Sequence, residues 1–441
     1  MKRITLFLYN LLFVPILLIL LPGYLLRIRR RGGYGNKALQ RFGMFDDSTF
    51  ARIGAGRIWL HAVSVGEVGI ALKFAQEYRR RNPAARFLLS TTTSTGLAIV
   101  EKSASEWLEP IANPVDFPVI TSRLVHRLKP SALLMVEADL WPNRIAACKA
   151  AGIPVALLNA RLSPRSEKRF RMARPFTAPF FNQLNLITLT DPGDVARWIS
   201  LGVNEGLLHL TGNIKHDAPI SAGTIPESDP SDPILLAAST HAGEEREIAA
   251  AWLTLRKDFP RLRLIIAPRH AERRSEVRTA LESIGISCLL RSEGAEISDV
   301  PLLLDTTGEL SRWYPKATVV FVGKSLPLSV NHGGQNMIEP LQAGAPVLIG
   351  PHTGNFEPLA TQLCEAGAAI RVNDSEEITS ATRILLQDAG KRSSTITAAT
   401  GVLKPHQGAA IRNCELVERL LQGAARHMFQ FGIQDRSSAA S

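Results

Sequence analysis

The chain has 441 residues, enough for two or three domains, and 45% hydrophobic with 21% charged residues is an ordinary globular composition that excludes a disordered chain. A net charge of +11 and a pI near 9.7 imply an anionic partner: nucleic acid, a phosphorylated substrate or an anionic membrane. Cys148, Cys288, Cys364 and Cys414 form no CxxC pair and no histidines form HxxxH, which argues for a reducing compartment and against a disulfide framework or a metal site.

Ile4 to Leu26 is apolar apart from Thr5, Asn10, Pro15 and Pro22, about the length that crosses a bilayer core. No small-x-small cleavage site follows it, and Arg27, Arg29, Arg30 and Arg31 outweigh Lys2 and Arg3 before it. Residues 1–31 therefore read as an uncleaved N-terminal membrane-anchoring helix with the remaining chain on the cytoplasmic side. The two prolines leave open a helix that only dips into the inner leaflet.

Residues 32–56 read as a basic, Gly-containing connector. From Arg57 to Asp217 short apolar runs alternate with helical patterns: Ile58–Val65, Phe87–Thr91, Leu133–Val136, Val155–Asn159, Leu186–Thr190 and Leu207–Thr211 are the expected strands. Residues 218–233 are rich in Pro, Ser, Gly and Asp and read as a linker. The alternation restarts with strands at Ile234–Ser239, Leu262–Ala267, Ser287–Leu290, Leu302–Leu304, Val319–Val322 and Val347–Ile349. Residues 376–422 are mostly helical in pattern, and 423–441 read as a frayed tail. The expected fold is α/β: two Rossmann-like doubly wound domains, 32–217 and 234–422, with a cleft between their strand ends. That is the GT-B architecture of glycosyltransferases, which other nucleotide enzymes share.

Gly66 and Glu67 follow the first strand and open a helical pattern, so Glu67 sits where open α/β sheets place their ligands. The plain alternative is a carboxylate that complements the helix dipole. Glu137 lies at another strand end, so two carboxylates of one cleft can differ in pKa and divide their roles. Lys215, at the last strand end before the linker, is placed to stabilise departing negative charge.

In the second half, Arg269 follows a strand and its guanidinium suits a phosphate or carboxylate. Residues 305–310 (DTTGEL) and 333–340 (GGQNMIEP) read as anion sites at helix starts, with Asn336 as a cap and Glu339 placed to accept ribose hydroxyls. Each alone is ordinary turn and cap chemistry; three at strand ends of one sheet favour a nucleotide site. Neither GxGxxG nor GxxxxGK[ST] is present, against NAD and P-loop readings. Arg165, Lys168, Arg169, Arg171 and Arg174, interleaved with Phe170, Met172 and Phe176, read either as a solvated helix face or as a surface for anionic lipid head groups.

Nine segments in order then resemble the Kdo transferases, which move 3-deoxy-D-manno-octulosonic acid (Kdo) from CMP-Kdo to lipid A precursors: HAVSVGE (61–67), STTTSTG (90–96), VEADLWPN (136–143), LNARLSPRS (158–166), TGNIKHD (211–217), STHAGEE (239–245), APRH (267–270), DTTGEL (305–310) and GGQNMIEPLQAGAPVLIGPHTGNF (333–356). The resemblance implies a GT-B, inverting, metal-independent glycosyltransferase of lipopolysaccharide biosynthesis at the cell inner membrane, acting on a precursor such as lipid IVA. It implies Glu67 as proton acceptor and Glu137 and Lys215 as transition-state stabilisers. It also implies that Pro268, Arg269, Thr307, Gly308, Glu309, Asn336, Met337, Ile338 and Glu339 hold CMP. Asp139, Lys324, Gln335 and His216 depart from the family's usual residues, which bears on the acceptor side and local packing. Other readings are another GT-B lipid-linked glycosyltransferase, a UDP-sugar epimerase, or a non-catalytic protein binding anionic lipid. Few aromatics (6%) and no RNA-binding motif speak against nucleic acid.

Overall fold

Runs such as Ile58-Trp-Leu-His-Ala and Val319-Val-Phe-Val have no polar face, and strands buried on both sides are what a parallel sheet covered by helices requires. The computed structural model describes residues 4–13, 15, 19, 23, 34–138, 140–162, 164–217, 231–328 and 333–438. It divides into two units, one formed by the chain up to Asp217 with Gly408 onward, the other by the chain from Ala218 to Gln407.

The first unit holds β1 (Ile58–Ala62), β2 (Phe87–Thr91), β3 (Leu108–Ala112), β4 (Ala132–Val136), β5 (Val155–Ala160), β6 (Leu186–Leu189) and β7 (Leu208–Leu210). They form one parallel sheet in the order β3-β2-β1-β4-β5-β6-β7. The second unit holds β8 (Ile234–Thr240), β9 (Arg263–Pro268), β10 (Leu289–Leu290), β11 (Leu302–Leu303), β12 (Val319–Val322), β13 (Val347–Ile349) and β14 (Ala369–Arg371) in the order β10-β11-β9-β8-β12-β13-β14, again parallel. In each sheet the chain first builds one side of its first strand and then restarts on the other, with β10 at the edge outside β11 in the second, so the switch point is β1/β4 in the first unit and β8/β12 in the second.

The structure corrects several boundaries. β1 ends at Ala62 rather than Val65, because Ser64 caps the next helix, Val65–Arg81. The supposed connector is folded from Tyr34 on, as a 3-10 helix Gly35–Phe42 and a helix Asp47–Ile53. These cover β3, an edge strand absent from the sequence reading because Glu109 and Pro110 interrupt its apolar run. Edge strands tolerate proline. Lys37 Nζ donates to the Pro110 carbonyl at 3.0 Å, Gln40 Oε1 accepts from Ala112 N at 3.0 Å, and Arg52 pairs with Glu109 at 2.8 Å. β14 is a second short strand that the sequence reading lacked.

The second domain was expected to extend to residue 422. Instead the helix Ala409–Ser438 belongs to the first unit, where Ala409, Ala410, Cys414 and Val417 join the core of Leu60, Phe74 and Leu134. A helical pattern shows that a face is apolar, not which sheet it covers. The same helix continues through the segment read as a frayed tail. Most of the anchor segment, the linker over 218–230 and Asp139 lie outside the described residues. Among the described residues no helix is long and apolar enough to cross a membrane. Residues 4–13 are helical, with Tyr9 Oη donating to Asp116 Oδ2 (3.2 Å) and the Asn10 and Asn143 amides paired in both directions (3.1 and 2.7 Å). The polar side of this helix faces protein, whereas Ile4, Phe7, Leu11 and Leu12 are exposed.

Candidate active site

Open α/β sheets bind ligands outside the carboxyl ends of their strands, at the switch point. In the first unit β1 and β4 are direct neighbours, with His61 opposite Met135, so the chain leaving β1 toward Glu67 and the chain leaving β4 into Glu137 emerge side by side. Ser64 caps the helix that follows β1: its Oγ accepts from Glu67 N (3.3 Å) and donates to Glu67 Oε1 (2.8 Å), while Val63 N donates to Oε2 (2.7 Å). This reciprocal arrangement resembles a capping box. The cap role of Glu67 is thus present in full. These contacts orient the Glu67 carboxylate.

Glu137 has φ 64°, and its N–H donates to the Leu158 carbonyl at 2.9 Å. A left-handed glutamate costs roughly 1–3 kcal/mol, strain that tends to be retained at functional sites. Asn159, Ser239 and Lys324 share this conformation (φ 54°, 53° and 60°), each at or just past the end of β5, β8 or β12. Burial pushes the Glu137 carboxyl above its usual range, and the positive charges of Arg161 and Lys215 counter that. Desolvation pushes Lys215 below the usual lysine range, Glu137 works against this and Arg161 adds to it. Lys215 is exposed, so water moderates the shift. The charges of Glu137 and Lys215 thus act on each other, and that of Arg161 acts on both. Arg161 escaped the sequence reading although it is the first residue past β5 and lies within the LNARLSPRS segment.

Beneath this surface His61 is fully buried, Nδ1 2.9 Å from Ser90 Oγ and its ring edge-on to Trp141 with centroids 5.2 Å apart. Burial, reinforced by Arg144, holds its pKa well below the usual imidazole value, so it is a neutral support. Arg144 is also fully buried, stacked over Trp59 and Trp141 (4.9 and 5.2 Å), with Nη2 donating to Asn113 Oδ1 at 2.6 Å.

In the second unit the switch point is built on Glu244. Its buried carboxylate accepts from the backbone N–H groups of His241 (2.9 Å), Lys324 (2.7 Å), Ser325 (2.9 Å) and Leu326 (3.1 Å). The approach requires Gly323, where a Cβ would lie 2.6 Å from the Ser239 carbonyl oxygen. Sequence reasoning passed over Glu244, which lies in the STHAGEE segment.

Of the residues expected to hold CMP, Pro268 ends β9 and Arg269 follows it, exposed, with its N–H on the Thr240 carbonyl (3.0 Å). Thr307 and Gly308 are exposed in the turn after β11, and Glu309 is held by Arg291 Nε and Thr306 Oγ1, both at 3.1 Å. The Arg291 guanidinium keeps the Glu309 carboxyl below its usual range. The next element is one 3-10 turn, Leu310–Arg312, shorter than the helix start expected there. The N-cap of the next helix, Ile338–Gln342, is Met337 rather than the expected Asn336, which sits one residue earlier: its Oδ1 accepts from Ile338 N (3.0 Å) and its Nδ2 donates to the exposed Glu339 (2.7 Å). Met337 and Ile338 are core side chains, so only their backbone is free to face a nucleotide. β9 and β11 are neighbours, which brings Arg269 and the 305–309 turn to adjacent strand ends. Residues 336–339 lie between β12 and β13, on the other side of β8. Of the departures, Lys324 acts through its backbone, Gln335 is half-exposed and His216 is buried. Among the described residues no three His, Cys, Asp or Glu side chains are grouped as a metal site requires.

Residues 36–218 match the family model described as 3-deoxy-D-manno-octulosonic-acid transferase (kdotransferase). The 3-deoxy-D-manno-octulosonic acid transferase of Bordetella pertussis is 32% identical over 416 residues, covering 89% of this chain and 94% of that one. The Haemophilus influenzae protein of the same name is 30% identical over 399 residues, covering 88% and 92%. The chain belongs to the Kdo transferase family. It is accordingly a glycosyltransferase. A putative UDP-N-acetylglucosamine 2-epimerase from Listeria monocytogenes shares the two-sheet, GT-B-like fold, with TM-score 0.54 and 14% identity over 84% of this chain and 98% of that one. That likeness is one of fold alone. Membership of the Kdo transferase family favours the transferase over the epimerase expectation.

Proposed function

We propose that this protein transfers Kdo from CMP-Kdo to a lipid A precursor such as lipid IVA, in a single inverting displacement that needs no divalent ion. The observation that carries the reading is Glu67 in the turn that follows β1, next in the sheet to β4, whose end carries Glu137 with the charges of Arg161 and Lys215 acting on it, in a chain of this family. The acceptor hydroxyl gives its proton to Glu67 as its oxygen bonds the anomeric carbon. The bond from that carbon to the CMP phosphate breaks, and CMP leaves with the electron pair. The donor carbon already carries a carboxylate, so cations rather than further acids suit the departing charge; Lys215 is assigned that task, and Arg269 is assigned to holding CMP. Asn336, Glu339, Thr307 to Glu309 and the backbone of 337–338 are assigned to the nucleotide. Incubation with CMP-Kdo and lipid IVA should release CMP and give a product heavier by whole Kdo units in mass spectrometry. CMP, and not UMP, should raise the melting temperature, since a ligand at 100 times its Kd stabilises the folded state by about 2.7 kcal/mol. No CMP release with any lipid A acceptor would favour the lipid-binding reading.

We assign the acceptor to the cytoplasmic face of the inner membrane. Supporting this are the outward apolar side of helix 4–13 and the exposed Met172 and Phe176 among exposed Arg165, Lys168, Arg169, Arg171 and Arg174. Phe170, read as part of that surface, turns inward instead, edge-on to Phe181 at 5.4 Å. Each basic residue near an anionic surface contributes about 1 kcal/mol, so Arg165→Glu, Lys168→Glu and Arg169→Glu together should weaken binding to phosphatidylglycerol vesicles by at least about 100-fold. Unchanged co-flotation of this triple variant would remove the basic helix from the membrane reading.

A further inference from the structure

The segment that carries Lys215 has almost no regular structure of its own: after β7 it runs through Thr211 and Gly212 to Asn213 and makes one 3-10 turn, Ile214–His216. Such a loop keeps a side chain in one place only when its backbone is fixed by neighbours. Here the first turns of the helix Ala409–Ser438 supply most of the fixing. At the entry of the loop, Arg412 donates from Nε (2.9 Å) and Nη2 (2.7 Å) to the Thr211 carbonyl. In its middle, Asn159 Oδ1 accepts from Ile214 N at 2.8 Å. Asn159 is tied in turn, through its own N–H, to Thr188 Oγ1 (2.8 Å), which donates to Asn413 Oδ1 (2.6 Å). At the exit, Asp217 Oδ1 accepts from Gly408 N (2.7 Å) and Oδ2 from Ala410 N (2.6 Å), while Lys73 Nζ donates to the Asp217 carbonyl. Ile214, next to Lys215, is fully buried against Ala409, Ala410 and Cys414.

We propose that Asp217, Arg412 and Asn413 are positioning residues for Lys215, fixing the loop so that its ammonium group stays beside Glu137 and Arg161. The proposal rests on the role of Lys215 at the transition state. It gives a task to the aspartate of the TGNIKHD segment and explains why the last long helix returns to the first unit. None of the three side chains is assigned a contact with substrate, so their effect should fall on the chemical step.

The test measures kcat and donor KM for Arg412→Ala, Arg412→Lys, Asp217→Asn, Lys215→Met and the Arg412→Ala/Lys215→Met pair, with melting temperatures alongside. A displacement of about 1 Å at a catalytic group costs on the order of 100-fold, so Arg412→Ala should lower kcat by roughly 10- to 100-fold with donor KM changed less than about threefold. Arg412→Lys, which still donates to the Thr211 carbonyl, should recover much of the loss. Asp217→Asn keeps the shape but only one acceptor oxygen, and should lose kcat in the same way, with a lower melting temperature because one backbone N–H is left facing an amide donor. In the Lys215→Met background the Arg412→Ala change should cost almost nothing, because its effect passes through Lys215. If Lys215→Met is impaired while Arg412→Ala and Asp217→Asn keep the parent kcat, the positioning proposal is wrong and the role of Lys215 stands. The proposal also fails if Arg412→Ala lowers the residual rate of Lys215→Met by its full factor. Near-normal turnover by Lys215→Met overturns the assignment of Lys215 itself.

Discussion

Glu67→Gln is expected to lower kcat for Kdo transfer by roughly 10²–10⁴-fold, the usual contribution of a positioned general base. Donor KM and melting temperature should stay close to those of the parent. The cap geometry makes this a clean substitution. The glutamine carbonyl can still accept from Val63 N–H, and the Ser64 hydroxyl, which now donates to Oε1, can rotate to accept from the new amide. What is lost besides the base is the charge at the helix N-terminus, worth about 0.3–1 kcal/mol. The rate loss corresponds to about 2.7–5.5 kcal/mol of barrier, well above that dipole contribution. Ser64→Ala separates the two roles from the other side. It removes the cap, at about 0.5–2 kcal/mol of stability, and frees Oε1 while leaving the carboxylate in place. A lower melting temperature with a smaller rate effect than Glu67→Gln is the expected pattern. Equal turnover by Glu67→Gln and the parent would leave Glu67 as a cap and nothing more.

The sheets were legible because parallel strands buried on both faces leave long apolar runs between helical patterns, and β1 and β4, which lead toward Glu67 and Glu137, are neighbours at the switch point. β3 was not legible: an edge strand can carry Glu109 and Pro110, whose partners Arg52 and Lys37 come from a stretch that looks like linker. Arg161 was hidden among other basic residues, since charge alone does not separate an arginine facing Glu137 and Lys215 from exposed ones such as Arg165 and Arg169. Glu244 was hidden for the opposite reason. A carboxylate in the first turn of a helix is common, and its contacts with Lys324, Ser325 and Leu326 join residues some 80 positions apart. Met337 and Ile338 sat in a motif that reads as polar, yet their side chains complete a core whose other walls come from β8, β12 and β13. The helix beginning at Ala409 has an apolar face that fits either sheet, and only packing against Leu60 and Phe74 assigns it.

Glu137 and Lys215 should reveal their coupling in the pH profile of kcat/KM. Burial raises the Glu137 carboxyl pKa, so if Glu137 acts ionised its acid limb lies above the ordinary carboxylate value of about 4.3. Desolvation lowers Lys215, so a limb set by its ammonium group lies below the ordinary lysine value of about 10.4. Each group supports the charged form of the other, and Arg161 acts on both, favouring ionised Glu137 and opposing charged Lys215. Lys215→Met removes a cation beside Glu137, so the acid limb should move to higher pH, with kcat lower by about 10²–10³-fold for the lost charge stabilisation. Glu137→Gln removes the anion beside Lys215, so the alkaline limb should move to lower pH. Stability follows the same linkage. A carboxyl whose folded pKa is raised contributes stability below its unfolded pKa, and loses it as pH rises through the folded one. Glu137→Gln should therefore flatten a fall in melting temperature on the alkaline side of the carboxylate range. The opposed shifts of the two limbs are the diagnostic outcome, because a general loss of structure would lower the whole profile without moving either limb. If both limbs stay in place in both variants, Glu137 and Lys215 do not titrate as a pair in catalysis.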